Sequence, residues 1–286
     1  MMDKDTFFQT KTTLNIGGKI LDLSKPKVMA ILNITPDSFF SGSRFSDDEE
    51  IFKQVSAFLK EGASIIDVGA YSSRPGAEDV SEREELNRLI PVVKLLTTEF
   101  PDIILSIDTF RGKVAAEAIK AGGHIINDIS GGELDKSMFE VVGALGVPYI
   151  LMHMRGNPKT MSSLTDYNDL LLDIAFYFSE KINRLKAWGV KDIILDPGFG
   201  FAKTAEQNYR LLKDMNNLKV FDLPLLAGIS RKAMIWKKLN IKPEEALNGT
   251  TVLNTLALQN GAAILRVHDV LEAKQCIDLI EIYNKS

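Results

Sequence analysis

The chain has 286 residues, a net charge of −4, 45% hydrophobic and 25% charged residues, and a single cysteine, Cys276. That length buries roughly three quarters of the surface its unfolded form exposes, enough for one large domain or two small ones. Mild acidity excludes an overall positive field that would gather nucleic acid or anionic membrane, and one cysteine excludes an intrachain disulfide framework and a cysteine-built metal cluster.

In chain order, the N-terminal stretch MMDKDTFFQTKTT lacks the basic-then-apolar pattern of a secretory signal, and no apolar run is long enough to cross a membrane. The expectation is a reduced, cytoplasmic protein with no nucleic-acid or membrane partner. The sequon at Asn33-Ile34-Thr35 then carries no weight. Residues 13–23 (TLNIGGKILDL) read as a hairpin around Gly17-Gly18, within a segment 12–24 that closes the bottom of the fold and carries no chemistry.

From residue 27 onward, short runs rich in Ile, Val and Leu alternate with stretches of helical periodicity. The pattern predicts strands at 28–33, 64–69, 103–108, 124–128, 148–153, 192–196, 224–229 and 263–268. It predicts helices at 48–61, 82–99, 111–121, 166–188, 204–216, 243–260 and 269–283. The strands are near-continuous apolar runs, as in a parallel sheet covered on both faces. Asp48 and Ser81 stand where N-caps belong, and Gly62, Gly122, Gly189 and Gly261 close helices just before the next strand. Eight strand-and-helix pairs in about 250 residues match an α/β (β/α)8 TIM barrel with an N-terminal β-hairpin better than a doubly wound sheet. No linker or composition shift divides the chain, so 1–286 reads as one domain, with the barrel over 27–286. Cys276 lies in a helical pattern and reads as a small buried hydrophobe.

The active site of such a barrel lies at the carboxyl ends of its strands. Those ends carry Asn33, Asp67, Asp108, Asn127 with Asp128, Met152 with His153, Asp196, Ser230-Arg231-Lys232, and Arg266 with His268. A polar end residue can simply mark where a strand reaches water. Several carboxylates and amides converging on one mouth, however, cost several kcal/mol unless something pairs with them. Asp108, Asn127 and Asp196 are acceptor-rich and suit a planar ligand with a row of N–H donors. Arg266 and His268 flank Val267 on one face of a strand and, with Asn33 on the adjoining first strand, suit a phosphate and a divalent ion. His153 reads as structural, Gly198-Phe199-Gly200 as a turn giving backbone clearance, and Lys232 has no evident partner to depress its pKa, which disfavours a Schiff-base lysine.

The segments ILNITPDSFF, IIDVGAYSSRPGA, SIDTF, IINDISGG, LMHMRGNPKTM, DPGFGFAKT, GISRK and ILRVHDV resemble, in order and spacing, the motifs of the dihydropteroate synthase family. The resemblance implies a transferase of folate biosynthesis that joins p-aminobenzoate to 6-hydroxymethyl-7,8-dihydropterin diphosphate and releases diphosphate with Mg2+ present. It implies that Asp196, Asn127, Asp108, Met152, Gly228 and Lys232 form the pterin pocket, with Asp108, Asp196, Lys232 and Asp37 carrying catalysis. On the arylamine side it implies Phe39, Ser73, Arg74, Pro75, Phe201 and Ser230, and on the diphosphate side Asn33, Ser73, Arg266 and His268, with Asn33 also holding the metal. Family members are usually homodimers through outer barrel helices, and a homodimer is expected here.

Three positions depart from the usual pattern. Ser41 stands where an acidic loop residue is common, so either Asp37 compensates or the metal and pterin sites act without it. Ser73 replaces a threonine and Ala202 a glycine, both mild changes. Phe40 stands where the family is usually polar. Two alternatives share the barrel and the pterin pocket, a methyltetrahydrofolate methyltransferase and a non-catalytic pterin-binding protein. Against the first stand Arg266-Val267-His268, the Phe39 and Arg74 loops and Ser230-Arg231-Lys232, which suit a diphosphate and a carboxylated arylamine; the second would need the Asp196 set but not Asn33 or Arg266.

Overall fold

Alternation along a parallel strand sends every second side chain into a barrel and the others toward its helices, so two cores are expected. The computed structural model describes residues 11–34, 44–71 and 80–286. Strands β1 (Thr13–Ile16) and β2 (Lys19–Asp22) form an antiparallel hairpin. Strands β3 (Lys27–Asn33), β4 (Ile65–Gly69), β5 (Leu105–Asp108), β6 (Ile125–Asp128), β7 (Tyr149–Met152), β8 (Ile193–Asp196), β9 (Leu225–Ala227) and β10 (Ala262–Val267) close into a barrel in chain order, with β10 beside β3. Around it run α1 (Arg44–Glu61), α2 (Glu82–Glu99), α3 (Gly112–Lys120), α4 (Met138–Leu145), α5 (Leu170–Ala187), α6 (Ala205–Asp214), α7 (Ala233–Leu239), α8 (Leu247–Gln259) and α9 (Val270–Lys285).

Every expected barrel strand is present, most of them shorter than predicted by one or two end residues. The helices differ in several places. The first begins a turn earlier, at Arg44, because no Pro or Gly stops it, so Asp48 lies inside it and is not an N-cap. The helices α4 and α7 were not anticipated; MFEVVGAL and AMIWKKL are too short and too apolar to show a helical period. The stretch predicted as one helix over 243–260 divides into a 3-10 turn at Pro243–Glu245 and α8. Ser81 does cap α2, its hydroxyl accepting from the Glu84 N–H at 3.2 Å, and Gly62, Gly122, Gly189 and Gly261 follow their helices with positive φ.

Inside the barrel, Met29, Ile65, Ile125, Ile150, Ile194, Leu226 and Ile264 form one apolar layer, and Leu14 and Ile16 of the hairpin with Leu23 seal it from below. The outward residues, among them Val28, Leu32, Val68, Ile107 and Leu195, join the larger core shared with the helices. Cys276 is buried there, as expected. The plugged bottom leaves the carboxyl ends as the open face of the barrel.

Candidate active site

Two residues beyond the apolar layer, the inward positions turn polar or open on most strands, while Ile31 and Met152 stay apolar. Ile65 is followed by Asp67, Ile125 by Asn127, Ile150 by Met152, Ile194 by Asp196, Leu226 by Gly228 and Ile264 by Arg266. The period of two therefore stacks a polar floor on an aliphatic one.

Arg266 is the hub of this floor. Its Nε donates to Asp67 Oδ2 at 2.6 Å and its Nη2 to Asp108 Oδ2 at 2.7 Å. Asn127 Nδ2 donates to the same Asp67 oxygen at 2.9 Å. That bond fixes the amide orientation and leaves Asn127 Oδ1 as an acceptor toward the mouth. Asp67 Oδ1 is buried without a hydrogen-bond partner among the described residues, as is Ser106 Oγ on the neighbouring strand. Burial pushes Asp108 up to about 7 against the pull of Arg266, with Asp67 adding to the rise.

Across the mouth, Asp196 Oδ1 accepts the Gly198 N–H at 2.7 Å, leaving Oδ2 and a second lone pair of Oδ1 to a ligand. Burial raises Asp196 above the ordinary carboxylate range, opposed first by Lys232 and then by the Gly198 bond, Arg266 and Lys203. Lys232 donates to the Phe199 carbonyl and stands 4.6 Å from the centre of the Phe201 ring. Burial brings Lys232 down to about 8, opposed by Asp196 and reinforced by Arg266. Its depressed pKa, which no neighbour in sequence foretold, thus comes from burial itself. Met152 pairs in register with Asp196 and belongs to an apolar cluster with Ile129, Met154, Met161 and Ala202, against which Phe110 and Phe201 pack. A Cβ at Gly228 would stand 3.9 Å from both Arg266 Cβ and Asp196 Oδ2. Glycine there keeps open the space between cation and carboxylate.

A second locus lies where β10 meets β3. Asn33, Arg231 and His268, with Ile31, Leu32, Gln54 and Phe58, line a cavity of about 250 Å³, room for a small anion. Ser230 Oγ accepts the His268 backbone N–H at 3.2 Å and lies 3.0 Å from His268 Nδ1. The hydroxyl thus ties the His268 ring and its backbone to the segment after the end of β9. Arg231, at φ +54°, is bound by both nitrogens to the Asp269 carboxylate. The Asn33 side chain makes no hydrogen bond among the described residues. Its carbonyl oxygen could therefore serve a hard divalent cation such as Mg2+, which is bound through only one or two protein oxygens when other ligands complete its shell. No cluster of three or more His, Cys, Asp or Glu residues forms a metal cage among the described residues.

The structure thus brings together Asp108, Asn127, Met152, Asp196, Gly228, Lys232, Arg266 and Phe201, and sets Asn33, Ser230 and His268 beside them. Phe201 packs on the Met152 wall close to Lys232, so it borders the polar floor on the Asp196 side. Asp37, Phe39, Phe40, Ser41, Ser73, Arg74 and Pro75 lie outside the described residues. His153 is structural, as expected: it is 1% exposed, and its Nδ1 lies 2.9 Å from the Lys203 ammonium. At Gly198, φ is +71° and a Cβ would fall far inside contact distance of the His153 carbonyl oxygen, which bears out the backbone-clearance reading. Sequence reasoning missed Lys203; its only signal was a lysine just past the turn that follows Asp196.

Comparison with known proteins places this geometry. The family model described as pterin binding enzyme matches residues 29–268. The dihydropteroate synthase of Escherichia coli (strain K12) is 43% identical over 266 residues, covering 92% of this chain and 94% of its own. The crystal structure of Yersinia pestis dihydropteroate synthase with a sulfonamide drug complex has a TM-score of 0.90 at 41% identity, over 96% of this chain and 100% of that one. Xanthomonas albilineans dihydropteroate synthase with 4-aminobenzoic acid has a TM-score of 0.89 at 34% identity, over 97% of this chain and 100% of that one.

Proposed function

The chain belongs to the pterin binding enzyme family, among the dihydropteroate synthases of folate biosynthesis, and from that premise we propose how its mouth divides the transferase reaction. The polar floor reads the pterin. Asp196 accepts from the ring N–H and 2-amino group through its two oxygens, Asn127 Oδ1 and Asp108 take the remaining donor edge, and Lys232 donates at the carbonyl side. The Met152 wall covers one ring face, and Gly228 gives the ring access between Asp196 and Arg266. The observation that carries this reading is the row of unused acceptors left by the Asp67–Asn127–Arg266–Asp108 network.

The diphosphate lies at the β10–β3 junction, with Asn33 and His268 from the cavity and Arg266 from the floor. Asn33 would hold a Mg2+ ion at this locus, and the ion would supply charge neutralisation at the leaving oxygens. The bond from the pterin methylene carbon to the diphosphate oxygen breaks with its electron pair going to the diphosphate, the arylamine nitrogen bonds to that carbon, and one N–H proton passes to water. The electron-rich ring held by Asp196 shares the positive charge that grows on the methylene. The arylamine needs alignment more than activation, and positioning contributes on the order of 7 kcal/mol or more. Ser230 and Phe201, with Phe39, Ser73, Arg74 and Pro75 of the loops and Asp37 in its catalytic role, complete the assignment on the arylamine side.

No helix among the described residues is long and apolar enough to cross a membrane, and a cytoplasmic location accords with the expected reduced state. Exposed Val252 and Leu256 on α8 and Leu279, Ile282 and Tyr283 on α9 support a homodimer through these outer helices. Purified protein given the pterin diphosphate, p-aminobenzoate and Mg2+ should release diphosphate, with sulfonamides competing against the arylamine. Well-folded protein that releases none would overturn the proposal.

A further inference from the structure

Lys203 is a buried cation that the transferase reaction leaves unused. It is 8% exposed, and its Nζ lies 3.0 Å from the Gly198 carbonyl, 3.1 Å from the Phe201 carbonyl and 2.9 Å from His153 Nδ1. Three acceptors around one nitrogen call for three N–H groups, which an ammonium has and a neutral amine lacks. His153 can accept because burial holds its pKa well below the ordinary value, with Lys203 and Arg155 adding to the effect.

The residues that Lys203 grips are the ones that shape the pterin pocket. Gly198 gives its N–H to Asp196 Oδ1 at 2.7 Å and its carbonyl to Lys203. Phe199 gives its carbonyl to Lys232, and Phe201 packs on the Met152 cluster while giving its carbonyl to Lys203. The 198–201 turn is therefore held from two sides by two lysines. We propose that the Lys203 ammonium, seated on His153, is a positioning residue of the transferase reaction: it sets the turn that aims Asp196 and Phe201, and it adds to the positive charge around the Asp196 carboxylate. The inference rests on the assignment of Asp196 to the pterin.

The electrostatics have a definite sign. Asp196 is raised by burial and held down by Lys232, Arg266 and Lys203. Lys203 is drawn down to about 7 by burial, with Lys232 and Arg155 adding to the fall and Asp196 opposing it. Removing the Lys203 charge therefore raises Asp196 further, and the acid limb of kcat/KM for the pterin moves to higher pH. Asp108 also titrates near that limb, but the charges acting on it are Arg266, Asp67, Glu85 and Asp128, so its contribution stays constant in the comparison.

The test compares Lys203→Gln, which keeps two donors without the charge, with Lys203→Met, which keeps only the stem. Both should move the acid limb upward by about half a pH unit or more. Lys203→Met should also raise KM for the pterin diphosphate about tenfold, with KM for p-aminobenzoate changed less. Lower melting temperatures with unmoved limbs and unchanged pterin KM would overturn the proposal. If neither variant folds, 15N-histidine labelling of the wild type decides, since the chain has only three histidines. His153 Nδ1 should stay unprotonated from about pH 6 to 9, and a protonated Nδ1 would overturn the clamp. Asp196→Asn run alongside separates the two readings: if it binds pterin like wild type, the pterin assignment itself fails.

Discussion

Arg266 illustrates what a single side chain settles here. One guanidinium answers two carboxylates from strands far apart in sequence, Asp67 and Asp108, and both bonds are short enough to be charge-assisted. Removing one member of a buried charge network typically costs about 3–5 kcal/mol, because the partners stay behind uncompensated. Asp108, already pushed up to about 7, can relieve part of that cost by taking a proton. A carboxyl whose folded pKa is raised costs nothing below its ordinary range. The cost grows as pH rises toward the folded value and is complete above it. Arg266→Met should therefore destabilise the fold more at pH 8 than at pH 5.5, as read by urea titration. Equal losses at both pH values would mean that Asp108 does not carry the excess charge. At this scale the sequence showed that polar residues end the strands and which of them belong to the mouth. It did not show who pairs with whom, because the Arg266–Asp67 bond joins residues 199 positions apart and depends on closure of the barrel rather than on local pattern. Lys203 stayed hidden for the same reason, since its partner His153 belongs to a different strand-to-helix connection.

The turn after β8 is the element on which pocket geometry depends most. It leaves the strand at Asp196, reverses at Gly198 and Gly200 with positive φ, and enters α6 at Thr204, whose hydroxyl and Gln207 form a reciprocal cap. At Gly198 two constraints coincide, a left-handed backbone and the His153 carbonyl standing where a Cβ would need room. Gly198→Ala should cost about 2–4 kcal/mol in thermal or urea unfolding and weaken pterin binding at least tenfold. Near-native stability with native affinity would show that the turn is not fixed as described. The sequence motif DPGFGFAKT announced this turn, because glycine spacing and a nearby helix cap are local signals. The helices α4 and α7 were not announced. Each is only about two turns long, and α4 is apolar almost throughout, so no amphipathic period separates it from a buried strand. Their existence is a consequence of the barrel, which must cover each strand with a helix.

Over the whole molecule, the two ends of the barrel do different work. The β1–β2 hairpin plugs one end with Leu14 and Ile16 against an aliphatic layer, and two residues further along the strands the interior turns polar. Stability is concentrated below that boundary and recognition above it, as the parallel barrel architecture permits. The eight-fold alternation made the barrel and its hairpin legible from sequence, since hydrophobic runs repeat at every unit and glycine stops at several of them. In the proposed reaction the mouth divides into a pterin floor centred on Asp196 and a diphosphate locus at Asn33 and His268. Calorimetric titration with the pterin diphosphate and with the pterin alcohol lacking diphosphate tests that division in one experiment. Asp196→Ala should lose measurable binding of both ligands, whereas His268→Ala should bind the alcohol like wild type and lose only the gain that diphosphate confers. An Asp196→Ala variant that binds the alcohol with native affinity would contradict the division.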